Sequence, residues 1–92
     1  MIGRRLVVTG RVQGVFFRDW TVEQARALGL DGWVRNRADG SVEAVIAGAP
    51  ETVAAMIERV RQGSPASRVD DVAVNEVVSG EVFDGFEKRP TR

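Results

Sequence analysis

The chain has 92 residues, the size of one small domain, and its 43% hydrophobic and 28% charged content is that of an ordinary globular protein. It contains neither cysteine nor histidine, which excludes disulfides, thiol nucleophiles and thiolate metal sites, and removes the usual general base and the commonest metal ligand. Thirteen basic residues balance 13 acidic ones, against the surplus of positive charge that a dedicated nucleic-acid binder carries, and no apolar run approaches the ~18 residues of a membrane span. The N-terminus lacks the apolar core of a signal peptide, so the expected location is cytoplasmic.

From Arg4 to Gln13 the chain alternates, with Leu6, Val8 and Val12 on the parity of Gly10; a period of two predicts a strand with one face on a core. Gly14 breaks it. From Arg18 or Asp19 to Leu28 the period becomes helical, with Val22, Ala25 and Leu28 on one stripe and Gly29 as the stop. Leu30 to Arg37 and Ser41 to Ala47 read as two further strands. Ala38-Asp39-Gly40 joins them, since Asp-Gly supplies the positive φ of a hairpin turn. Val42, Ala44 and Ile46 face the core.

Gly48-Ala49-Pro50-Glu51 opens a second helix, in which Val53, Met56, Ile57 and Val60 recur at helical spacing. After the loop Gly63-Ser64-Pro65-Ala66-Ser67, Val69 to Val78 reads as a fourth strand. Ser79-Gly80 breaks it, Val82, Phe83 and Phe86 offer a short fifth, and the polar tail Lys88 to Arg92 is expected to fray.

The order strand, helix, strand, strand, helix, strand predicts an α+β domain over residues 1–92. This is the ferredoxin-like split βαβ plan (βαββαβ plus a short fifth strand), an antiparallel sheet with two helices on one face. Many functions share that plan, so chemistry must come from particular residues.

The stretch Gly14-Val15-Phe16-Phe17-Arg18 leads from strand to helix without the signature of a nucleotide P-loop or a dinucleotide fold. Its successive N–H groups suit a phosphate-sized anion, and Arg18 adds a permanent charge and a two-pronged donor. The same stretch also reads as a plain turn whose Phe pair plugs the core and whose arginine is solvated. Asn36 falls on the parity of Gly32 and Val34, where an apolar residue would be expected, and its amide suits holding a water. It also reads as a turn residue. Arg35 and Arg37 take the other parity and are expected to be solvated, and Trp33 and Trp20 to pack. Asp19, Glu23, Asp70 and Asp71 form no convincing acid pair or metal cage.

Taken together, Gly10-Arg11-Val12-Gln13-Gly14-Val15-Phe16-Phe17-Arg18 and Gly32-Trp33-Val34-Arg35-Asn36, followed by Asp39-Gly40-Ser41-Val42-Glu43, resemble the acylphosphatases. Gly63-Ser64-Pro65 and Val69 support the resemblance, which runs from about Leu6 to Phe86. It implies hydrolysis of an acyl phosphate to a carboxylate and inorganic phosphate, with phosphate as product and inhibitor. It implies that Arg18 binds the phosphoryl group, that the backbone of Gly14, Val15, Phe16, Phe17 and Arg18 holds its oxygens, and that Asn36 positions the attacking water. No metal or organic cofactor, nucleic acid or membrane is implied, and a monomer is expected. The alternative is a non-catalytic phosphate or acyl-phosphate binding module of the same fold. Arg37 stands where many relatives carry a small hydroxyl or another polar residue, and Arg89 to Arg92 lie outside the motif.

Overall fold

A computed structural model describes residues 1–77 and 83–92, which form seven elements. They are β1 (Ile2–Arg11), α1 (Phe17–Ala27), β2 (Asp31–Asn36), β3 (Val42–Gly48), α2 (Pro50–Gln62), β4 (Arg68–Glu76) and β5 (Phe86–Lys88). The expected Ser79-Gly80 break, with Val78 and Val82, lies outside the described residues.

The strands form one sheet in the order β4-β1-β3-β2-β5, and the β4-β1-β3-β2 pairs are antiparallel as the plan requires. The short β5 differs: it pairs parallel with β2, Gly32 opposite Phe86 and Val34 opposite Lys88, so the sheet is mixed. The tail continues this pairing instead of fraying. Arg89 N–H donates to the Val34 carbonyl (2.8 Å), Arg92 N–H to the Asn36 carbonyl (3.1 Å), and Ala38 N–H to the Arg92 carbonyl (2.9 Å). Strand β2 offers an edge ladder beyond Lys88, and the tail satisfies it whatever its side chains are.

The core fills the space between the helices and one sheet face. Leu6, Val8, Val34, Val42, Ala44 and Ile46 come from the strands, and Phe17, Ala25, Val53, Met56 and Val60 from the helices. Burying each large apolar side chain contributes about 1.5–3 kcal/mol. In α1 the buried stripe is Phe17, Thr21 and Ala25, with Val22 and Leu28 only partly covered. The stripe is rotated from the expected one because the helix begins at Phe17, earlier than Arg18 or Asp19, and Phe17 anchors it. Thr21 is tolerated there because its hydroxyl donates to the Phe17 carbonyl at 2.8 Å.

The other sheet face carries charge. Glu43 is buried, receiving Arg5 Nε at 2.5 Å on one oxygen and Arg35 Nε at 2.7 Å on the other. Trp33 packs, as expected, with the guanidinium groups of Arg35 and Arg89 4.6 and 4.9 Å from its ring centre. Arg35 is therefore not the solvated residue that its parity suggested. Its register partner across β2 and β3 is Glu43, and a strand sequence alone does not say what stands opposite.

Candidate active site

The loop from β1 to α1 is shaped by backbone exceptions. Near the end of β1 the pairing with β4 slips between Thr9 and Gly10, so that Thr9 faces Asp71 and Gly10 faces Val69. Gly10 takes φ +125°, and a Cβ there would overlap the Arg68 carbonyl oxygen, so only glycine permits the approach. Beyond Arg11 the strand ends, two residues before the alternation stops. Val12 nevertheless stays buried. Gly14 (φ +73°) and Phe16 (φ +60°, ψ +26°) both adopt left-handed conformations, which curl the loop.

Phe17 drops into the core beside Trp20, ring centres 5.4 Å apart, and pins the start of α1. Of the Phe pair only Phe17 plugs the core. Phe16 is 81% exposed, because its left-handed backbone turns the side chain outward. Val15 packs partly buried against the core.

The start of α1 has no side-chain cap. Among the described residues no partner takes up the backbone N–H groups of Val15, Phe16, Phe17 or Arg18; the first N–H to find a helical acceptor is that of Trp20, on the Phe16 carbonyl at 3.0 Å. Unsatisfied donors and the positive end of the helix dipole thus lie together, the arrangement that attracts an anion.

Beside these donors lies a cavity of about 340 Å³ lined by residues of three chain segments: Gly14 and Phe16 from the loop with Phe17 and Arg18 from the first turn of α1, Asn36 from the end of β2, and Lys88 from β5; Val15 is not among its lining residues. The structure brings Arg18 and Asn36 to one cavity although they stand 18 positions apart in the chain. Asn36 stands at the last residue of β2, opposite Val42. Its side-chain Oδ1 is buried and has no hydrogen-bond partner within the protein. A buried carbonyl-type oxygen without a partner costs about 1–3 kcal/mol, so the position is expensive for a purely structural asparagine.

Two polar residues around the site, Lys88 and Gln13, have no assigned role in the sequence reading. Lys88, counted in the polar tail, donates to Asp19 Oδ1 at 2.8 Å across the cavity mouth. The hydrogen bond and charge of Lys88 hold the Asp19 carboxyl below its ordinary value, and Arg18 adds to this. Nothing in the sequence links two residues 69 positions apart. Gln13 reaches across to the β2–β3 hairpin, donating through Nε2 to the Arg37 and Ser41 carbonyls, both at 2.8 Å. In the sequence it marks only the end of the alternating stretch and one position of the motif. The hairpin turn forms as Asp39-Gly40 predicts: Asp39 Oδ1 accepts from the Ser41 hydroxyl (2.6 Å) and N–H (2.9 Å), which keep that carboxyl ionised below its usual range.

A family model described as acylphosphatase matches residues 4–88. The chain is similar to an acylphosphatase of Rhizorhabdus wittichii, 63% identical over 90 residues that cover 98% of this chain and 90% of the relative. It is also similar to one of Rhizobium meliloti, 56% identical over 79 residues, 86% of this chain and 83% of the relative. Among solved structures it superposes on an acylphosphatase from Bacillus subtilis with a TM-score of 0.92 and 40% identity, covering 97% of this chain and 99% of that one.

Proposed function

The chain belongs to the acylphosphatase family, whose function is the hydrolysis of acyl phosphates, and on that premise we propose that the cavity between the Gly14–Arg18 loop and Asn36 is where the reaction occurs. In this reading the phosphoryl group sits at the start of α1. Its oxygens accept from the backbone N–H groups of Val15 to Arg18 and from the two-pronged Arg18 guanidinium. Asn36 Oδ1 accepts a hydrogen bond from a water and so directs that water's lone pair at phosphorus. The water oxygen bonds to phosphorus as the bond from phosphorus to the acyl oxygen breaks, in line, and the carboxylate departs with the electron pair.

A side-chain base or acid is not required. The leaving carboxylate is already a stable anion at neutral pH, since its conjugate acid has a pKa of about 4. The proton lost by the water passes to a phosphoryl oxygen. This suits a chain without histidine or cysteine. We take the reaction to proceed without metal or cofactor, phosphate to inhibit as the product that fits the same cradle, and the protein to be a cytoplasmic, single-domain monomer over residues 1–92. No helix among the described residues is long and apolar enough to cross a membrane.

The observation that carries this assignment is Asn36, which lines the same cavity as Arg18 and whose Oδ1 is buried with no hydrogen-bond partner within the protein. The test is hydrolysis of benzoyl phosphate in excess EDTA, with inorganic phosphate as competitor. Turnover with competitive inhibition is expected. Binding of phosphate without turnover would reduce the protein to a binding module.

A further inference from the structure

The proposed site is split between two parts of the chain: a loop that holds the phosphoryl group and a hairpin that carries the water-holding asparagine. Gln13 is the side chain that ties them. It immediately precedes Gly14, and its Nε2 reaches the carbonyl of Arg37, the residue after Asn36, and that of Ser41 on the far side of the turn, both at 2.8 Å. Both partners are carbonyl oxygens, so the amide must present its NH₂ end to them and uses both donors at once.

Those two carbonyls do not need Gln13 for satisfaction. The Arg37 carbonyl already accepts from Gly40 N–H at 3.1 Å, and the Ser41 carbonyl from Arg37 N–H at 2.9 Å. The hairpin is closed by its own backbone and by the Asp39 carboxylate. What the glutamine adds is a cross-link between elements, 24 and 28 residues apart, on the side of the hairpin that meets the loop. The backbone of the Asn36 to Ala38 segment is held separately by the tail, through Arg92.

We propose that Gln13 is a positioning residue for hydrolysis: its two-donor amide fixes the Asn36 end of β2 at the correct distance from the phosphate-binding loop. The inference rests on the reading of Asn36 as the water holder. Gln13 touches neither the phosphoryl group nor the water. It sets the distance between the groups that do, and a small error in that distance lowers the rate steeply without altering how phosphate is held.

The test replaces Gln13 by Met, which keeps length and volume and removes both donors. Because each carbonyl retains a backbone partner, Gln13→Met is expected to stay folded, with a melting temperature close to wild type. With benzoyl phosphate, kcat is expected to fall about 10-fold while the inhibition constant of inorganic phosphate stays within about twofold. The double variant Gln13→Met/Asn36→Ala is the second readout. A residue that acts through Asn36 has nothing left to position once the amide is gone, so the further loss in the Asn36→Ala background should shrink below about twofold. An unchanged kcat, a phosphate constant that rises in step with the loss of rate, or fully multiplicative losses would each overturn the proposal. If Asn36→Ala itself retains wild-type kcat, the failure belongs to the water-holding assignment and not to Gln13.

Discussion

Arg18 and Asn36 line one cavity but are expected to fail differently when truncated. In the proposed mechanism Arg18 holds charge in the ground state and in the transition state, so Arg18→Ala should lose at least ~10²-fold in kcat, about 2.7 kcal/mol, and weaken phosphate inhibition as well. In the same proposal Asn36 acts on the water, so Asn36→Ala should lose a comparable factor in kcat and leave the phosphate constant nearly unchanged. Steady-state kinetics with phosphate as inhibitor separate the two. Glu43 makes a prediction about pH. Burial by itself would raise its pKa, but the hydrogen bonds and charges of Arg5 and Arg35 outweigh burial and hold the carboxyl below its ordinary value of 4.5. A group whose pKa is depressed on folding adds stability above its unfolded value and loses it as pH falls through the folded one. The melting temperature should therefore drop as pH is lowered below about 4.5, and Glu43→Gln should flatten that part of the profile. At neutral pH the same variant should lose about 2 kcal/mol, because two charge-assisted hydrogen bonds lose their acceptor charge.

At the start of α1, conformational strain accompanies the loop's shape. Phe16 is the only non-glycine residue at positive φ among the described residues, and its ring is 81% exposed, so its packing contributes little to offset the left-handed backbone. That conformation costs an ordinary side chain about 1–2 kcal/mol and asparagine less. Phe16→Asn should therefore raise stability by about 0.5–1 kcal/mol in thermal unfolding, and a lower melting temperature would contradict this account. The elements themselves were largely readable in the sequence. The period of two in β1 and the i, i+3, i+4, i+7 pattern of Val53, Met56, Ile57 and Val60 report burial on one face, and burial is what forms them. Their ends were less readable. Val12 keeps the alternation going past the end of β1 because it is buried as a loop residue, and periodicity cannot distinguish a strand residue from a loop residue facing the same core. The parallel pairing of β5 and the course of the tail were invisible for a related reason: backbone ladders leave no mark on side-chain pattern.

For the whole molecule, binding at the cavity should be visible in global stability. A ligand that binds only the folded state at 100 times its dissociation constant stabilises by about 2.7 kcal/mol. In a domain of this size that raises the melting temperature by roughly 10–20 °C. Inorganic phosphate should produce such a shift in the wild type and a much smaller one in Arg18→Ala. The amino-acid sequence by itself determined the α+β plan, the two helices, the hairpin and the two motifs that identify the family, because each is written in local period, turn chemistry or contiguous residues. Only the tertiary structure decided which distant residues meet. It brought Asn36 to the cavity of Arg18, set Lys88 against Asp19, laid the tail along β2, and turned Gln13 from a motif letter into a tie between loop and hairpin. Such meetings depend on strand register and crossover, which arise from the packing of all elements at once and which no single stretch of sequence encodes.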